Sequence, residues 1–321
     1  MRKNRPSIVS IILIFLGVVC FNNAKTANTP YRIAYSNEVH ELMNTMNPQS
    51  MWNNLTVLSH FPDRYSNSDN GTKTMDWVKQ QIEEMIKITG RNDITFYSIP
   101  TGKKYKQSSL VVKIGKSELA GVVIGAHLDT LSSQKPGADD DGSGTVTLLE
   151  LARSICVSGM EFKKPIYLIW YAAEEEDPLE KNEGLLGSKY VVKYFTKNHI
   201  PVAAVLQLDM TGYLYQNDPA IWLNDDYVNK KLNNYLEKLI IFYVNTPVKH
   251  SLCGTPCSDH YRWFVKGYPT VFPFEAAAEN PYMHTENDTI DKLSLTHMTD
   301  FLKLTIAFTV ELAEPIDVTM K

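Results

Sequence analysis

The stretch AGVVIGAHLDTLSSQKPGADDDGSGTVTLLELARSICVSG, Ala120 to Gly159, carries the pattern on which the fold turns. It begins as a continuous apolar run that suits a strand buried on both faces, and the run stops at His127 and Asp129. A glycine-rich turn follows with three consecutive aspartates, Asp139, Asp140 and Asp141. From there GTVTLLELARSICVSG reads as a helix that Gly159 ends. The same alternation extends outward. KTMDWVKQQIEEMIKITG, Lys73 to Gly90, reads as a helix, and ITFYSI and SLVVKI read as strands. Downstream come the strand KPIYLIWYAAEEE, the helix LGSKYVVKYFTK and the strand VAAVLQLDM. AIWLN precedes one long expected helix, DYVNKKLNNYLEKLIIFYV; PTVFPFEAA and the helix TDFLKLTIAFTVELA close the chain. Strands alternating with helices of this length imply an α/β class: a single globular domain, with a central mixed, mainly parallel β-sheet and helices on both faces.

In such a sheet, ligands bind beyond the carboxyl ends of the strands. Those ends carry His127 and Asp129, then Glu174, Glu175 and Glu176, then Asp209, while His284 stands in the late loop PYMHTENDTID. Each has a bland reading alone: a hydrogen-bonded histidine, a solvated charge run, an acidic helix N-cap. Gathered at one edge they would repel one another and drive their pKa values upward unless cations bind. Histidine with Asp and Glu suits zinc. Two Zn²⁺ ions would balance three carboxylate ligands and one hydroxide, leaving a further carboxylate as general base in a two-metal hydrolytic site.

The 321 residues are 44% apolar and 21% charged with a net charge of −4, which gives no basic footprint for nucleic acid. Arg2, Lys3 and Arg5, the apolar run Ile8 to Phe21 and the small residues Ala24 and Ala27 describe a signal peptide over residues 1–27. The run is shorter than a membrane span needs, so no stable membrane association is expected once the leader is cleaved; a retained anchor is the alternative. Residues 28–45 form an N-terminal segment, a candidate short propeptide, and 46–321 the catalytic domain. Export suits a local disulfide between Cys253 and Cys257 around Gly254-Thr255-Pro256, with Cys156 a buried thiol.

The motifs GAHLD, PGADDDGSG, YAAEEE, GLLGSKY, QLDMTGY, CSDHYRWFVKGYPTVFPFE and MHTENDT, in this order, closely resemble those of the secreted bacterial leucyl aminopeptidase type of di-zinc metallopeptidase, from about residue 50 to about residue 315. The resemblance implies a zinc-dependent aminopeptidase that takes peptide or protein N-termini with two Zn²⁺ per chain; the leader makes it a secreted protein, and a monomer is expected. It implies that His127, Asp140 and Asp209 hold one ion, and that Glu175 and His284 hold the other, with Asp140 bridging and the Asp140–Asp141 peptide cis. Asp129 would orient His127, and Glu174 would be the general base and acid. Glu174 and Glu175 are preferred over Glu175 and Glu176 because Ala-Glu-Glu follows the strand directly, and Glu176 opens the insertion EDPLEKNE. The substrate pocket would take in Met210, Thr255, Phe272, Phe274, Glu279 and Met283. Two departures stand out. The disulfide loop carries Thr255 where relatives often have tyrosine, and Glu279 with small Ala276 replaces bulky apolar residues, which would let the pocket accept Lys or Arg. Single-zinc glutaminyl cyclases and a silent binding module on the same fold are the rival readings. A Ser-His-Asp hydrolase is not supported at Ser143, and His260 reads as structural.

Overall fold

The computed structural model describes residues 31–132, 136–175 and 184–316. The signal peptide and the insertion at 176–183 read in the sequence lie outside these residues. Its frame is a six-stranded sheet in the order β1-β2-β4-β3-β5-β8. The outer strands β1 (Ile94–Pro100) and β2 (Ser108–Ile114) run antiparallel to each other, and β2 runs antiparallel to β4 (Ile166–Tyr171). β4, β3 (Gly121–His127), β5 (Val202–Gln207) and β8 (Thr270–Val271) are parallel. All seven residues of β3 and all six of β4 are buried, which explains their unbroken apolar runs.

Alternation along these strands feeds two cores. Val122, Ile124, Ala126, Leu168 and Trp170 enter the larger one with α2 (Pro48–Ser59), α3 (Asp69–Thr89), α4 (Gly142–Ser158) and α8 (Leu295–Ala313). Val123, Tyr167, Ile169 and Tyr171 face the smaller one, under α5 (Leu186–Lys197) and α7 (His260–Phe264). Helices thus cover both faces. The chain leaves β3 through α4 for β4 on one side, then crosses through α5 to β5 on the other, so the crevice at the ends of β4, β3 and β5 is a topological switch point.

Three further features complete the frame, and the last two depart from the sequence reading. Residues 31–45 pack onto the main core: α1 (Ser36–Met43) buries Val39 and Leu42, the Tyr31 ring stacks on Tyr235 at 5.3 Å, and the amides of Ala34 and Tyr35 donate to the buried Glu311 carboxylate. The long helix expected from Asp226 starts only at Lys230, where the Asn229 side chain caps the Leu232 amide; α6 (Lys230–Leu239) then widens into a π-turn at Ile240–Val244. Thirdly, β6 (Ile221–Asn224) pairs with β7 (Val248–Ser251) and β9 (Pro273–Phe274) in a second, three-stranded sheet. Its strands are too short to show a period. From Tyr31 onward the chain is one compact unit.

Candidate metal centre

β3, β4 and β5 open into one crevice, and each delivers part of the centre. His127 is the last residue of β3, Glu174 and Glu175 follow β4 across Ala172 and Ala173, and Asp209 follows β5. His284 arrives from the segment between β9 and α8. Left-handed backbone marks these arrivals: Ala173 (φ 51°), Met210 (φ 59°) and His284 (φ 59°). Such residues each cost of order 1–3 kcal/mol and persist where the surroundings hold them. Here Leu186 N–H binds the Ala173 carbonyl at 2.8 Å, and the Met210 amide donates to Asp141 at 3.2 Å.

The three aspartates divide their labour. Asp139 accepts from the Gly212 amide (3.0 Å) and the Asn280 side chain (2.8 Å). Asp141 accepts from the amides of Gly144, Met210 and His127, which caps α4 and ties it to β3 and β5. Both outer carboxylates therefore fasten backbone, and the middle one is free to face the crevice. The Asp140–Asp141 peptide is cis. Asp140 Oδ1 lies 3.1 Å from His127 Nε2, and its Oδ2 lies 3.0 Å from His284 Nε2. His127 Nε2 is also 3.5 Å from Asp209, and His284 Nε2 is 2.9 Å from Glu175. Two groups of three potential ligands result, His127-Asp140-Asp209 and Asp140-Glu175-His284, with Asp140 common to both.

The side chains around the groups fix their presentation. His127 Nδ1 sits 3.1 Å from the main-chain carbonyl of Asp129, an acceptor only, so Nδ1 carries the proton and Nε2 faces the carboxylates. The Asp129 carboxylate is 3.8 Å from that ring nitrogen and is engaged chiefly by the amides of Glu174 (3.0 Å) and Glu175 (3.3 Å). Asp129 thus serves both the histidine and the glutamate pair.

Without cations this cluster is electrostatically strained. Burial pushes Glu175 up to about 7, with the Asp140 charge adding to it, and raises Glu174 well above the carboxylate range. Burial opposes protonation of His127, but Asp209 and Glu174 outweigh it and lift that imidazole. Hydrogen bonds to Asp140 and Glu175 carry His284 to about 11. Protons held on imidazoles beside buried carboxylates are what divalent cations replace, so the donor set fits zinc.

Every pocket residue expected from the sequence lines one cleft of about 680 Å³: Met210, Thr255, Phe272, Phe274, Glu279 and Met283, beside Glu174 and the five potential ligands. Glu279 is exposed, and Cys253 and Cys257 form the disulfide in the cleft wall. Asp129 lies behind it. Sequence reasoning missed Leu131, Leu185 and Leu252 in the lining. Also missed were Asn280 and Glu275 around Asp139; Glu275 takes the Tyr213 amide. His260 belongs to neither group. Its ring lies against Phe272 at 4.7 Å, and burial lowers it to about 3.

Buried carboxylates gathered round two imidazoles at the mouth of a parallel sheet serve one chemistry well, hydrolysis assisted by divalent metal. Comparison with known proteins assigns that class its family. The chain belongs to Peptidase family M28, whose profile matches residues 109–309, and it is a metallo-aminopeptidase. Leucine aminopeptidase 1 of Fusarium vanettenii is 34% identical over 307 residues, covering 90% of this chain and 76% of its own. The crystal structure of the LapA aminopeptidase of Legionella pneumophila shares 45% identity with a TM-score of 0.84, covering 89% of this chain and 77% of its own. A glutaminyl cyclase of Fimbriiglobus ruber shares the fold at 16% identity and a TM-score of 0.69, covering 83% and 95% of the two chains.

Proposed function

We propose that the chain removes the N-terminal residue of peptides and proteins with two zinc ions, one held by His127, Asp140 and Asp209 and the other by Asp140, Glu175 and His284. The observation that carries this reading is Asp140 offering one oxygen to each histidine. When bound, the zinc ions supply Lewis acidity to the scissile carbonyl and acidify water. Glu174 takes the proton of the attacking water on its carboxylate and passes it to the leaving amine. Its buried position between the Asp129-held turn and the cleft supports that role. Zinc per chain, with aminoacyl-nitroanilide hydrolysis before and after chelation, tests the reading. Two zincs with activity lost to chelator and restored by Zn²⁺ support it; one zinc without amide hydrolysis points to cyclase chemistry.

Phe272, Phe274, Met210 and Met283 form an apolar pocket for the substrate's first side chain, in keeping with the leucine aminopeptidase names of the relatives. Glu279 on the rim extends that range to Lys and Arg. On this basis Glu279→Ala lowers the Lys-to-Leu ratio of kcat/KM by roughly tenfold, about 1.4 kcal/mol of transition-state binding. A ratio unchanged by the substitution removes Glu279 from specificity. The leader pattern of residues 1–27 and the disulfide support a secreted enzyme, and we take it to act as a monomer. N-terminal sequencing and sizing of protein recovered from culture medium test this, and full-length protein retained in cells contradicts it.

A further inference from the structure

A bridging carboxylate works only while its backbone is fixed, because any shift moves both oxygens against two ligand sets at once. The backbone carrying Asp140 is gripped from two sides by buried charged residues that belong to neither set. Asp288, 1% exposed, accepts the Asp139 amide on one carboxylate oxygen at 2.9 Å and the Asp140 amide on the other at 3.1 Å. Its main-chain carbonyl accepts the Ala138 amide at 3.1 Å. Arg64, also 1% exposed, reaches in from the loop between α2 and α3 and gathers carbonyls instead. It donates to Gly137 (2.8 Å) and Asp140 (3.3 Å) through Nη2, to Pro136 (2.5 Å) through Nη1, and to Leu128 (2.7 Å) through Nε. Gly137 is glycine for a steric reason: at φ 56° a Cβ would stand 2.5 Å from the Asp140 carbonyl oxygen and 2.8 Å from Arg64 Nη2. Asp288 follows His284 by four residues in one turn, its amide bonded to the Thr285 carbonyl at 3.3 Å. The segment that delivers the imidazole therefore also grips the bridging aspartate.

We propose that Arg64 and Asp288 are positioning residues that set the span between the two metal groups, Asp288 by tying the His284 segment to the Asp140 backbone and Arg64 by bracing that backbone through its carbonyls. The inference rests on the two-metal reading above. Residue chemistry limits the substitutes. Asparagine turns one acceptor into a donor facing an N–H, and lysine offers a point charge where arginine presents a planar fork of five donors.

The test is zinc titration of the full chain against a competing chromophoric chelator, together with the cobalt(II) absorption spectrum and metal-free melting, for wild type, Asp288→Asn and Arg64→Lys. Groups that orient metal ligands typically change affinity or activity by about 10–100-fold. The expected result is folded variants with near wild-type metal-free melting, a loss of that size in affinity for the weaker ion, a shifted cobalt spectrum, and kcat reduced at nearly unchanged KM. A wild type that takes up one ion overturns the two-metal reading and this inference with it. A wild type with two ions, and variants matching it in affinity and spectrum, overturns this inference alone. So does a variant whose metal loss only tracks a loss of folded protein while the folded fraction keeps the wild-type spectrum. If Asp288→Asn does not fold, Arg64→Lys decides.

Discussion

Glu174 and Glu175 are adjacent on a turn that Asp129 holds by both amides, yet they face different tasks. Glu175 lies 2.9 Å from His284 within a ligand group, whereas Glu174 belongs to no such group and lines the cleft. Removing the Glu174 charge while keeping its shape should separate proton transfer from metal binding. Glu174→Gln is expected to lower kcat by about 10²–10⁴-fold with zinc per chain and KM near wild type. Stopped assays combined with metal analysis check this; activity within tenfold of wild type would place the base elsewhere. At this scale the sequence revealed the groups whose chemistry dictates a residue type, the imidazoles and carboxylates at strand ends. It concealed Arg64, Asp288 and the fastening roles of Asp139 and Asp141. Their partners are main-chain amides and carbonyls, which every residue possesses, so no neighbouring letter signals the pairing.

The start of helix α5 is hydrogen-bonded to the turn that carries Glu174, and the fit leaves no room for a side chain. A Cβ on Gly187 would stand 2.0 Å from the Ala172 carbonyl oxygen and 2.8 Å from its nitrogen, both backbone atoms that cannot swing aside. Leu185 and Leu186 donate to the carbonyls of Glu174 and Ala173, so pushing α5 away also pulls on the turn that carries Glu174. Gly187→Ala is therefore expected to destabilise by about 1–3 kcal/mol, as overpacking does, and to lower kcat/KM as well. Thermal melting with parallel kinetics measures both; a variant with wild-type values of each would show that α5 slides freely. Elements buried on both sides were legible because burial writes itself into composition: β3 and β4 are buried along their whole length, and β3 and β5 are apolar up to His127 and Gln207 at their ends. α6 was read too long because its apolar spacing continues through a π-turn, whose altered hydrogen bonding leaves no mark on side-chain type. The small second sheet was silent for want of length.

For the whole molecule, the acidic centre makes stability depend on metal and pH together. In the metal-free protein, burial raises Asp139 to about 6, Glu175 and Asp259 to about 7 and Asp288 to about 8, and hydrogen bonds to Asp140 and Glu175 raise His284 to about 11. Each folded-state value lies above that of the unfolded chain, so between pH 6 and pH 8.5 the native state holds more protons than the unfolded one. Stability from such groups is present below the unfolded pKa and is lost as pH rises through the folded pKa. Each proton contributes about 1.4 kcal/mol per pH unit at most. His260, lowered to about 3 by burial, acts in the opposite direction, but only as pH falls below its ordinary value near 6.5. The melting temperature of chelated protein should therefore fall by several degrees from pH 6 to pH 8.5, at about 1–2 °C per kcal/mol for a chain of this length. Zinc should reverse the trend, because each ion displaces protons and binds more tightly as they become scarce. Scanning calorimetry of chelated and zinc-loaded protein across this range checks both slopes. A chelated protein that gains stability toward pH 8.5 would mean that the cluster sheds its protons without metal and that zinc is not what relieves its crowding.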